Sequence, residues 1–554
     1  MQNNPKKRLS ALTGNINIKK TFTKTASEDP DITGIAYDSR AVEPGFLFIA
    51  LPGIHVDGHN YIEKAVEQGA AAVLYSDPEF DRKIENSAGA QKTAFIRTVN
   101  TRTAMAPVAA AFYDRPADKM TTIGVTGTDG KTSTVYCIDQ LLELLDRDCG
   151  FVSTAACKTA SAIEKNPYRQ STPEAVEINM MLSRMLDSGK SYAVIESTSH
   201  GLSPLNNRLG EISFDAAVFT NISHEHLEFH GTFERYRDDK ANLFRKLRSN
   251  GDSTEHSGFG VVNLDDENAQ HFINAAAYTA FESNNTAQAP RVYTCSLKNP
   301  SADFYAHDIE ARTDGSSFSI TINTSTNHPG TTTPCTVKIS IGLPGLFNIE
   351  NTLEAFAVVH MLTGTPAQRI AELMPELAAV KGRMKVLDSG QPFTAVVDYA
   401  HTPGSFERLF PDMREQTRGR LIAVFGSAGE RDVEKRPVQG EIAARYADII
   451  VLTDEDPRGD DAVSILEHIA AGAERAGRET GGRQLGPLKR NENLFLIPDR
   501  KSAIRRAFEL AEPDDTVIML GKGHESTIIY ADGPIPWDEQ TAAEEALAEM
   551  GFKK

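Results

Sequence analysis

MTTIGVTGTDGKTSTVYCIDQLLELL, residues 120–145, runs from a β-branched strand through a glycine-rich turn into a helical pattern. Strand, tight turn and helix in that order mark the start of a nucleotide-binding α/β domain. Backbone N–H groups at the turn and the positive end of the helix dipole would converge on one point, which suits a triphosphate. Gly127, Thr128, Asp129 and Gly130 would wrap the phosphates, Lys131 would reach the terminal ones, and Thr132 would ligate a magnesium ion. The strict G-x-x-x-x-G-K-[ST] pattern is missed, because five residues separate Gly124 from Gly130. A bare turn with an exposed lysine is the alternative, and the flanking strand and helix argue against it.

Outward from this loop, short apolar runs continue on both sides. Between residues 34 and 115, segments such as 46–50 and 71–74 alternate with helical patterns and are punctuated by Pro44, Gly45, Pro52, Gly53 and Gly58, predicting a small α/β domain. Strands are expected at 191–195, 216–219 and 260–262 in a parallel sheet with crossover helices. A third set is expected at 394–398, 421–425, 449–453 and 517–520, forming a second doubly wound sheet. The polar stretches 249–258 and 283–288 predict loops. The expected fold is therefore α/β in three domains: residues 1–119, a central P-loop ATPase domain with a parallel sheet at 120–381, and a doubly wound, Rossmann-like domain at 382–554.

Composition narrows the function. The 554 residues carry 58 Lys and Arg against 76 Asp and Glu, a net charge of −18, which argues against a broad nucleic-acid or anionic-membrane surface. Five cysteines without CxxC spacing suit a reducing compartment and predict small core residues. No run is long and apolar enough for a secretory signal or a membrane span, so a cytoplasmic protein without membrane insertion is expected.

Two further features point to a metal. Glu196 closes the predicted strand YAVIE, where strand ends in open α/β sheets face the ligand crevice. After the next strand comes HEHLEFH, 224–230, whose His226 is expected to face the same crevice. Zinc is the alternative there, but the spacing is not HExxH and no cysteine lies near.

With these segments in place the sequence resembles the Mur ligase family, over almost its whole length. The resemblance is carried by YDSRAVEPGFLFIALPGIHVDGHNYI (37–62), GVTGTDGKTST (124–134), STPEA (171–175), ESTSHGL (196–202) and FTNISHEHLEFHGTFERYRDDKANLF (219–244). It continues in GLPGLFNIENTLEA (342–355), GRMKVL (382–387), DYAHTP (398–403), VFGSAGERDVEKRP (424–437), TDEDPRGDD (453–461) and GKGHE (521–525).

The resemblance implies an ATP- and magnesium-dependent ligase of peptidoglycan precursor synthesis, joining a diamino acid to UDP-N-acetylmuramoyl-L-alanyl-D-glutamate through an acyl phosphate. It implies an N-terminal domain for the UDP end, a central ATPase and a C-terminal domain for the amino acid. Ser39 would contact the uridine nucleotide, and Thr172, Thr198 and Arg208 the muramoyl dipeptide. Asn351, Asp398 and His401 would complete the ATP site. Lys240 matches the family's carbamylated lysine, a magnesium ligand beside Thr132, Glu196 and His226; an ordinary exposed helix lysine is the alternative. Lys131, Glu196, His226 and Lys240 make the implied catalytic set.

Arg436, Asp456, Arg458, Gly521 and Glu525 fall at the family's amino-acid-binding positions. Arg458 suits the distal carboxylate of meso-diaminopimelate. Asp456, where the family often has Asn, suits the lone ammonium of lysine or ornithine. Pairing of Arg458 with Asp456 or Asp460 would remove it from the ligand, so the amino acid stays open. Asp129 also stands where Asn is common. A folylpolyglutamate-synthase-like ligase would share the ATPase but not the DSR segment, and a non-catalytic nucleotide-binding protein would not need the catalytic set. The sequence is silent on oligomeric state, and a monomer is the expectation.

Overall fold

The computed structural model describes residues 6–22, 29–53, 56–86, 92–168, 170–223, 227–249, 257–282, 289–312, 315–324, 334–476, 479–480, 483–484 and 486–553. His226 and most of both polar stretches expected as loops lie outside them.

Three large sheets organise the described residues. The first has five strands in the order Ile18–Phe22, Ala94–Thr98, Ala72–Tyr75, Phe46–Ile49, Gly34–Ala36, parallel except for the first. The third runs Lys385–Leu387, Thr394–Val397, Thr516–Met519, Leu421–Phe425, Ile449–Leu452, Leu494–Leu496, again parallel except at the first strand. Interior strands such as Leu421–Phe425 are buried at every position, because helices cover both faces.

The central sheet has eleven strands. Seven, from Cys149–Val152 through Tyr192–Glu196, Thr121–Thr126, Ala216–Phe219, Phe259–Asn263 and Arg291–Ser296 to Phe304–Arg312, are parallel. Antiparallel strands extend both ends, with Gly315–Ile322 and then Cys335–Ile341 added in turn beyond Phe304–Arg312. The strand before the phosphate loop lies between the strand ending in Glu196 and Ala216–Phe219, with Glu196 opposite Val125. This register brings three strand ends to one crevice.

Helix Leu346–Thr363 packs against helix Lys131–Leu144, and twelve of its eighteen residues are buried, which places it inside the domain rather than on its surface. One expectation needs correction. Cys137, Cys149, Cys157 and Cys295 are buried as predicted, but Cys335 is exposed, because it starts a strand at the sheet's far edge. At Lys240 it is the alternative, an ordinary exposed helix lysine, that does not hold: the side chain is 2% exposed. Among the described residues, no helix is long and apolar enough to cross a membrane.

Candidate functional site

The phosphate loop is shaped by backbone constraints. Gly130 takes φ +84 as the cap of helix Lys131–Leu144, a conformation glycine adopts without penalty. At Gly127, φ +150, an added Cβ would lie 1.9 Å from Thr220 Oγ1, so no side chain fits. The loop is pinned to the next strand end: Thr128 N donates to Asn221 O (2.7 Å), Asp129 N to Asn221 Oδ1 (3.1 Å), and Thr220 Oγ1 to Asp129 O (2.6 Å).

Lys131, Thr132 and Glu196 line one cavity of about 240 Å³ with Thr198, Arg383 and His401. Glu196 Oε2 accepts from Thr132 Oγ1 (2.9 Å) and Thr154 N (2.8 Å), and Oε1 from Thr154 Oγ1 (2.7 Å). A buried carboxylate beside a threonine hydroxyl is an oxygen donor set that fits a hard divalent cation such as magnesium. Lys131 Nζ rests on Thr128 O at 2.7 Å. Lys240 Nζ reaches the loop from helix Phe233–Arg245 and donates to Gly127 O at 2.6 Å. Among the described residues no three His, Cys, Asp or Glu side chains gather around a metal position.

An adjoining cavity of about 90 Å³ is lined by Asp129, Asn351, Arg383, Asp398 and Arg408 among others. Asn351 Nδ2 is shielded from solvent with no hydrogen-bond partner among the described residues, an amide left over for a ligand. Asp398 accepts from Met384 N (2.9 Å) and Ala400 N (2.7 Å). Burial pushes its carboxyl up, while the Arg383 guanidinium opposes this. The Tyr399 ring lies between those of His401 and His524, each centred 4.7 Å away and tilted by 54° and 52°, with Arg383 over it at 4.5 Å. Burial, with nearby cations, pushes His524 down to about 3, so it is neutral at any physiological pH.

The residues assigned by resemblance to the muramoyl dipeptide meet beside Glu196. Thr172 Oγ1 donates to Glu196 O (2.8 Å) and lies 2.9 Å from Thr198 Oγ1. Arg208 Nη1 donates to Thr172 O (2.9 Å), and its Nη2 lies 3.1 Å from Glu174. Ser39 is elsewhere: it is buried in the turn Ser39–Ala41 of the first sheet and lines neither cavity. That sheet is joined to the central one by Tyr37 Oη donating to Glu177 Oε1 (2.8 Å) and by Arg102–Glu174 (2.9 Å).

Of the residues assigned to the amino acid, Asp456, Arg458, Gly521 and Glu525 lie on two loops and Arg436 on helix Lys435–Tyr446. Asp456 Oδ1 accepts from Lys522 Nζ (2.8 Å) and Ile529 N (3.0 Å), and Lys522 also bonds Glu525. Arg436 pairs with Asp460 at 2.7 Å. Asp456 and Asp460 thus bond to other cations, and Arg458, at φ +54, keeps a shielded Nε without a hydrogen-bond partner among the described residues. Gly521 takes φ +98 beside Glu455, and Gly523 meets Gly382 so closely that a Cβ on Gly382 would lie 2.1 Å from its carbonyl carbon. Sequence reasoning passed over Thr154, Arg383, Tyr399 and Lys522. Three of them sit inside the quoted GRMKVL, DYAHTP and GKGHE segments, while Thr154 carries no motif.

Comparison with known proteins agrees. Residues 31–113 match "Mur ligase family, catalytic domain", 125–359 "Mur ligase middle domain" and 382–523 "Mur ligase, glutamate ligase domain". The UDP-N-acetylmuramyl-tripeptide synthetase of Roseiflexus sp. (strain RS-1) is 45% identical over 95% of this chain and 96% of its own. The UDP-N-acetylmuramoyl-L-alanyl-D-glutamate--2,6-diaminopimelate ligase of Caldanaerobacter subterraneus subsp. tengcongensis is 34% identical over 94% and 95%. A solved structure of a 2,6-diaminopimelate ligase of the same name superimposes with a TM-score of 0.62, at 27% identity over 94% of this chain and 95% of that one. Motifs, three-sheet architecture and full-length relatives converge: the chain belongs to the Mur ligase family.

Proposed function

We propose that the protein is an ATP-dependent ligase that joins a basic diamino acid (lysine, ornithine or meso-diaminopimelate) to UDP-N-acetylmuramoyl-L-alanyl-D-glutamate. The observation that carries this reading is the shared cavity: Lys131, Thr132 and Glu196 of the central sheet face Arg383 and His401, which flank the first strands of the third sheet. The relatives' names supply the substrate class.

In this reading residues 1–119 hold the UDP end through Ser39, residues 120–381 bind ATP, and residues 382–554 bring the amino acid. Thr172, Thr198 and Arg208 orient the dipeptide so that its D-glutamyl side-chain carboxylate faces the γ-phosphate. A carboxylate oxygen attacks that phosphorus, the bond to the bridging oxygen breaks and ADP leaves. Lys131 moves from Thr128 O onto the transferring group and stabilises its charge. Magnesium, held by Thr132, Glu196, His226 and Lys240 once carbamylated, would neutralise the phosphates so that two anions can meet. The amine then attacks the acyl carbon, a proton is lost, and the C–O bond to phosphate breaks to leave the amide. Asn351, Asp398 and His401 hold the nucleotide, and closure of the third sheet over the cavity keeps water from the acyl phosphate.

Arg436, Asp456, Arg458, Gly521 and Glu525 frame the amino acid. The test is phosphate release with the UDP-dipeptide, ATP and magnesium, offering lysine, ornithine and meso-diaminopimelate separately. Release with one of them names the substrate; no release with any, while ATP binds, sinks the tripeptide-forming assignment.

A further inference from the structure

The phosphate loop carries its own negative charge. Asp129 lies one residue before the helix cap, and its Oδ2 is shielded from solvent with no hydrogen-bond partner among the described residues. A carboxylate at the mouth of a triphosphate site repels the ligand unless a cation offsets it. Arg408, on helix Pro403–Gln416 of the third sheet's unit, is placed to do so: its Nη1 lies 3.8 Å from Asp129 Oδ2, too far for a hydrogen bond and close enough for charge. Its Nη2 is anchored on Glu350 Oε2 at 2.9 Å, one residue before Asn351 on the buried helix Leu346–Thr363. Arg408 and Asp129 line the same cavity as Asn351, Arg383 and Asp398. The charge of Asp129 is also felt at Asp398, where it adds to the upward push from burial.

We infer that Arg408 is a nucleotide-affinity residue: oriented by Glu350, its guanidinium offsets part of the Asp129 charge, so that ATP binds more tightly when the third sheet's unit has brought this cation to the loop. The inference rests on the ATP reading above. Its bland alternative is a partly exposed ion pair that fastens two domains, which would contribute little to either stability or binding.

The experiment is a double-mutant cycle read by titration with a fluorescent ATP analogue and by steady-state ligation. Arg408→Ala is expected to weaken nucleotide binding and raise the ATP KM by roughly five- to twentyfold, with a much smaller change in kcat. Arg408→Lys keeps the charge and is expected to recover most of the loss. Arg408→Ala combined with Asp129→Asn is expected to return the ATP KM to within about threefold of the parent, far below the product of the single effects. Thermal melting checks that each variant is folded. If Arg408→Ala binds nucleotide as the parent does, or if Asp129→Asn gives no relief, the inference falls while the ATP reading stands. If the parent protein binds no nucleotide, both fall.

Discussion

Lys240 donates its ammonium to the carbonyl of Gly127 at 2.6 Å, which ties helix Phe233–Arg245 directly to the phosphate loop. The side chain is buried and its Nζ lies 4.5 Å from the centre of the Tyr236 ring. An ammonium so placed has the wrong sign for a metal ligand, and carbamylation by CO2 would reverse it. With labelled bicarbonate, one carbamate resonance is expected by NMR, lost in Lys240→Arg together with at least about a hundredfold of kcat. Full turnover in Lys240→Arg would rule out the modification as a requirement.

Glu196 is held by three hydrogen bonds from Thr132 and Thr154. Glu196→Gln keeps the shape and removes the charge, so kcat should fall by about 10²–10³ and recover partly at raised magnesium. A magnesium dependence identical to that of the parent would contradict a role for Glu196 at the metal.

Asp454 supplies a pH test of stability. Burial raises its carboxyl from 3.8 to about 6, against an opposing hydrogen bond from Tyr530 Oη at 3.1 Å. Because the folded chain holds this proton more tightly than the unfolded one, ionisation destabilises the fold progressively as pH rises from about 4 through 6, and fully above that. Asp454→Asn should therefore gain about 1–3 kcal/mol at pH 8 and almost nothing near pH 4, measured by urea unfolding. An equal gain at both pH values would show that ionisation is not the cause.

Arg500 joins the two loops assigned to the amino acid. It donates to Asp454 O (2.9 Å) and Leu520 O (2.6 Å) and forms a fully buried pair with Glu539, at 2.6 and 2.8 Å. Arg500→Met strands a buried carboxylate and should cost about 3–5 kcal/mol of stability. Arg500→Met paired with Glu539→Leu should regain much of that stability, yet still raise the KM for the amino acid more than that for ATP. Equal changes in both KM values would deny Arg500 a specific part in holding these loops.

Much of this architecture is legible in the residues because parallel strands buried on both faces are continuous apolar runs. The strands Ala216–Phe219 and Leu421–Phe425 fall where the sequence predicts, and Tyr192–Glu196 and Thr516–Met519 within one residue. The antiparallel extension escaped notice: Cys335–Ile341 alternates exposed and buried residues, and such half-polar strands resemble loop. At the site, Lys131, Thr132 and Glu196 were legible from the loop and the strand end. Thr154, Lys522 and Arg500 were not, since their partners lie 42, 66 and 39 residues away and only the folded chain brings them together.

The three large sheets share no strand. Under the proposed function the UDP end and the incoming amino acid are read by separate frameworks while ATP lies between the second and the third, and selectivity for the amino acid resides in Arg436 and two short segments, 453–458 and 521–525. On that reading, substitutions there would change which amino acid is accepted without touching the residues packed around Glu196.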